Sequence, residues 1–142
     1  MEISEVRRRL LAALDKARRD AAERRARTDI AAREYDAFLS QRAAPVFHQF
    51  AAALKAEGYQ FNVFTPAASI RLASERSLEE FIELSLDDSS DPPAVIGRTT
   101  RGRGRRMVST ERAIGGGPIA DLTDEDVLAF LLEEITGLIE RS

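Results

Sequence analysis

The chain contains no cysteine. Disulfides, thiolate metal sites and cysteine nucleophiles are therefore excluded. It contains one histidine, His48. With no second imidazole or thiolate to share a metal, His48 reads as a surface or hydrogen-bonded side chain. Lysine is almost missing: of 21 basic residues only Lys16 and Lys55 are lysine, and the rest are arginine. Together with abundant alanine, this is the residue usage of a GC-rich bacterial genome, so arginine density alone says little about nucleic acid. No apolar run approaches the roughly 18 residues of a membrane span. The first twenty residues carry charges where a secretory signal would have its apolar stretch. The expected setting is cytoplasmic, with no membrane partner.

What is present suits one folding unit. A chain of 142 residues with 44% hydrophobic content can bury a single core. The formal net charge is -3, so the whole molecule has no general attraction for nucleic acid. Residues 1–57 carry twelve basic and nine acidic side chains, and residues 58–142 carry nine and fifteen. The result is a dipolar mosaic with a basic island at 94–113.

Residues 2–43 lack proline and glycine and are rich in Ala, Arg, Glu and Leu, which predicts one long helix. Leu10, Leu14, Ala17, Ala21, Ala31, Tyr35 and Phe38 fall at heptad spacing when Arg24 and Thr28 are counted in the seam. A helix of ~40 residues is ~60 Å long, longer than a small domain is wide. These seven residues are therefore the expected oligomer interface, most simply of an antiparallel homodimer that sets the Leu10–Leu14 end against the Tyr35–Phe38 end.

Pro45 predicts a break, because proline disfavours helical geometry in the residue before it. A short second helix follows to Gly58, the expected cap. The chain thus divides into a projecting helix, 1–44, and a small domain, 45–142. From Tyr59 the apolar period becomes two, which predicts four or five antiparallel strands with one wet face. Asp87–Pro93 and 115–118 read as loops. Thr123, with Asp126 three residues on, marks the start of a last helix. Its stripe of Val127, Leu128, Leu131, Leu132, Ile135, Leu138 and Ile139 should cover the dry face. The fold class is α+β.

No catalytic motif emerges. "GRGRR" and "IGGGP" lack the spacing and setting of a phosphate loop. The paired carboxylates lie in loops or first turns, and "LDDSSD" lacks the glycine and distal glutamate of an EF-hand. The chain is read as non-enzymatic, with no metal and no cofactor. The most charged stretch, "RTTRGRGRRMVSTER" at 98–112, reads as a hairpin turning at Gly102-Arg103-Gly104. Arg101, Arg103 and Arg105 crowd its tip, with Arg98 and Arg106 behind. These five are the candidate partner-binding residues. The reading is an interaction or assembly protein that oligomerises through its long helix and presents the arginine hairpin to an acidic protein. The alternative is a nucleic-acid-binding protein that uses the hairpin with the basic face of the helix: Arg7 to Arg9, Arg18, Arg19, Arg24, Arg25 and Arg27.

Overall fold

The computed structural model describes residues 1–139. The chain is helical without interruption from Ile3 to Ala56: α1 (Ile3–Phe38), one π-helical turn (Leu39–Ala43) and α2 (Ala44–Ala56). At 1.5 Å per residue this rod is about 80 Å long. The break expected at Pro45 does not occur. Pro45 lies in the first turn of α2, and the preceding turn is widened so that the Ala44 N–H donates to the Leu39 carbonyl, five residues back. Proline has no N–H to offer the carbonyl four residues back, and the wider turn inserts one residue around that gap.

That extra residue corrects a phase error. In an unbroken α-helix, Ala31, Tyr35 and Phe38 would face about 100° away from Val46, Phe47 and Leu54. The insertion removes this angle, and all six side chains are buried in one core. The signal was in the sequence: the apolar series slips by one residue where Phe38 is followed by Leu39.

Beyond α2 the chain folds into five antiparallel strands: β1 (Phe61–Phe64), β2 (Ile70–Ser74), β3 (Phe81–Asp87), β4 (Ala94–Arg103) and β5 (Arg106–Ala113). Each pairs with its neighbour in chain order, a simple meander. The register aligns Leu72 with Ile82 and Ile82 with Thr99, and it sets Ile70 opposite Leu84 and Leu84 opposite Gly97. Since side chains alternate across a strand, this defines the dry face. α2 packs on β1 and β2, and the last helix, α3 (Asp124–Ile139), packs on β3 and β4. Ile82, Leu84 and Val95 are buried with Val127, Phe130, Leu131 and Ile135.

α3 starts as its sequence requires. The Asp126 N–H donates to Thr123 Oγ1 at 3.2 Å, and the Thr123 N–H donates to Asp126 Oδ2 at 2.9 Å. This reciprocal box satisfies donors that a helix start otherwise leaves unpaired. Phe130 lies over Gly97, where an added Cβ would stand 2.3 Å from the ring. A glycine inside a strand often marks such a close approach.

The opposite face of the sheet is polar but not wholly wet. Glu83 is buried there and accepts from Arg71 Nε at 2.8 Å, while the Arg71 guanidinium lies 3.9 Å from the centre of the Phe81 ring. His48 is exposed.

Candidate functional site

Two features stand out from the packed body, and each carries residues singled out by sequence. The first is the hairpin of β4 and β5. The strands run closer to the tip than expected, with Arg103 opposite Arg106. The turn is therefore Gly104-Arg105 rather than Gly102-Arg103-Gly104. Gly104 has φ +64°, the positive value that a two-residue hairpin requires at its first central position.

The strand alternation scatters the five candidate arginines. Arg98 points to the polar face, where its Nε donates to Glu111 Oε1 at 3.0 Å on the neighbouring strand. Arg101 points to the dry side and lies against the last turns of α3. A Cβ on Gly137 would stand 2.6 Å from its Nη1. A cation there complements the negative end of the helix dipole. Arg103, Arg105 and Arg106 remain together at the tip, exposed. Among the described residues, none of the three has a carboxylate within 4.0 Å. The site is thus three arginines, with two of the five engaged by the fold.

Sequence reasoning missed Arg112. Its Nη2 donates to Glu133 at 2.6 Å, and its guanidinium lies 4.8 Å from the centre of the Phe130 ring. Arg112 clamps the edge strand to α3. Nothing local in the sequence sets it apart from the other arginines, because both partners arrive on a different element.

The second feature is the projecting part of α1. Ala31, Tyr35 and Phe38 face the chain's own core and are buried. They have no surface left for a second chain, which removes the arrangement that set Leu10 and Leu14 against Tyr35 and Phe38. Tyr35 donates its hydroxyl to the Ala68 carbonyl. Burial, and then the nearby Glu83 and Asp36 carboxylates, raise its pKa well above the usual phenol value. Toward the N-terminus the same helical face loses its cover. Ile3 is 85% exposed, Leu10 55% and Leu11 53%. Leu14 and Ala17 are also exposed, and Ala21 is half-buried.

The transition comes at Ala21. There the β3–β4 loop reaches the helix, and Arg27 holds Asp91 through two hydrogen bonds of 3.2 and 3.0 Å. A depression of about 430 Å³ lies between them, lined by Ala21, Arg24, Arg25, Asp29, Asp88 and Asp91 among others. The helix side and the loop side of the depression are far apart in the chain, so no sequence spacing announces it.

Several helix arginines predicted to form a basic face are engaged along the rod. Arg8 and Arg9 pair with Glu5, Arg18 with Asp15 and Arg27 with Asp91. Among the described residues no three His, Asp or Glu side chains converge to hold a metal ion. Among the same residues no helix is long and apolar enough to cross a membrane. No protein-family model matches the chain, and no characterised protein or solved structure matches it at a significant level.

Proposed function

We propose that this chain is a non-enzymatic assembly protein of the cytoplasm, which associates with itself through the projecting part of α1 and presents the tip of its β4–β5 hairpin to an acidic protein. The observation that carries the reading is one helical face with two fates. It is buried at Ala31, Tyr35 and Phe38 and uncovered at Ile3, Leu10 and Leu14. Apolar surface in water is unfavourable at roughly 25 cal/mol per Å², and a second copy of the same face is its simplest cover.

The tip supports the second half. Arg103, Arg105 and Arg106 repel one another across a tight turn, and an anionic partner would offset that cost. An acidic protein is favoured over nucleic acid because four of the helix arginines that would have to join the tip on a phosphate backbone already have carboxylate partners in the chain. Light scattering at tens of micromolar should give about twice the 15.7 kDa chain mass. A mass of one chain throughout would remove the self-association half of the proposal.

A further inference from the structure

The uncovered face of α1 is bounded at both ends. It opens at Ile3, where the helix starts, and it closes at Ala21, where Asp88–Asp91 stand beside the helix. The open part is about 28 Å long at 1.5 Å per residue. On the heptad that includes Leu10 and Leu14, Thr28 continues the same face. It lines the depression at the loop. The loop therefore stands on the line of the seam and ends it.

This wall decides how a second copy can lie on the face. Two parallel helices joined along the seam would bring both β3–β4 loops to the same level on the same side, into the space between the helices. They would also set Arg7 on Arg7 at a seam position, with the triplets Arg7–Arg9 side by side. Antiparallel helices place the two loops at opposite ends and remove both conflicts. We propose that the occupant of this face is a second copy of residues 3–21, antiparallel, with Leu10 packed on Leu14 of the second copy. The proposal rests on the self-association reading above and specifies its geometry.

One register uses the open length fully. Pairing Leu10 with Leu14 sets Ile3 against Ala21 and Arg7 against Ala17. The twofold axis crosses the seam at the level of residue 12. Leu11, which lies beside the seam and has no cover in one chain, then meets Leu11 of the second copy. Each helix start arrives at the depression of the other chain, which is lined by Arg24 and Arg25 as well as Asp29, Asp88 and Asp91. The Glu2 side chain makes no capping hydrogen bond at this helix start. Its free N–H groups and positive dipole end favour nearby carboxylates. The loop carboxylates Asp88 and Asp91 stand among Arg24, Arg25 and Arg27, so the loop serves as a stop for the incoming end.

The absence of native cysteine makes the test direct. Nitroxide labels on Ala12→Cys or Ala22→Cys occupy exposed positions away from the seam, and pulsed dipolar spectroscopy reads the distance between the two copies. The antiparallel register places the labels at position 12 level with each other and those at position 22 about 30 Å apart along the axis. The expected result is a short distance at 12 and one at least ~10 Å longer at 22. Equal, short distances at both sites would mean a parallel pair. That would overturn the antiparallel proposal and leave self-association standing. Long distances at both sites would place the contact elsewhere and overturn it too. Complete absence of dipolar modulation at both sites would overturn the proposal and the self-association reading together.

Discussion

Two residues show how tightly the body is specified. Gly97 sits under the Phe130 ring with no room for a Cβ. Gly97→Ala should therefore destabilise the chain by about 1–3 kcal/mol through overpacking, read as a lower midpoint in urea with an unchanged slope. No loss would mean that Phe130 has another rotamer available. Tyr35 makes a different case. Its raised pKa means that the phenol is kept neutral in the folded chain. In the unfolded chain it ionises near pH 10. The stability due to the neutral phenol is therefore complete below about pH 10 and is lost as pH rises toward the higher folded value. Tyr35→Phe should cost about 0.5–1.5 kcal/mol at pH 7, because the Ala68 carbonyl that loses its donor belongs to an exposed residue. The variant should also lose the Tyr35 part of the alkaline decline. Parallel stability-against-pH curves above pH 10 for the two proteins would contradict that assignment.

At the scale of elements, period and capping carried most of the information. The last helix was legible because its stripe, its Thr123 cap and its Asp126 box agree, and all are local. Its packing on β3 was legible because the dry residues of a strand recur at every second position. Leu131 is fully buried at that interface. Leu131→Ala should cost about 2–5 kcal/mol, from lost transfer energy and the cavity left behind. A change under half a kcal/mol in a denaturant melt would mean that α3 is not part of the cooperative core.

The junction of the helices departs from the expected break, although Pro45 carries a strong local signal for one. The π turn overrode it because continuity lets α1 and α2 bury their apolar faces in one core. The phase slip at Phe38-Leu39 was visible, but only the packed body gives it meaning. The hairpin was legible as a hairpin. Arg98 and Arg101 lie on opposite faces because an odd number of positions separates them on one strand, and the turn is one residue shorter than expected, which moves the chain reversal to Gly104-Arg105. The depression at the root of the projecting helix was not legible, because it joins α1 to a loop distant in the chain.

For the whole molecule, charge and shape together make the functional argument. A rod of about 80 Å carries a compact body at one end and an uncovered apolar face at the other. The arginine tip belongs to the body, away from that face, so the proposed self-association and the proposed partner binding can be separated by mutation. Changing Arg103, Arg105 and Arg106 to Ala should weaken binding to an immobilised acidic polypeptide at least tenfold at low salt. It should leave the melting temperature nearly unchanged, since the tip lies outside the core. If the ligand is instead DNA or RNA, the same variant should flatten the dependence of log affinity on log salt by up to about three. A variant that binds like the native chain in both assays would leave the tip a solvated turn.

Sedimentation equilibrium of the native chain beside Leu10→Glu/Leu14→Glu tests whether the exposed face of α1 joins two chains. Both leucines are exposed in one chain, so the substitutions should leave the folded body intact, as read by a native-like circular dichroism spectrum. The account predicts a dimer for the native chain at tens of micromolar and a dissociation constant raised at least a hundredfold in the variant. Equal masses for the two proteins at every concentration would contradict it.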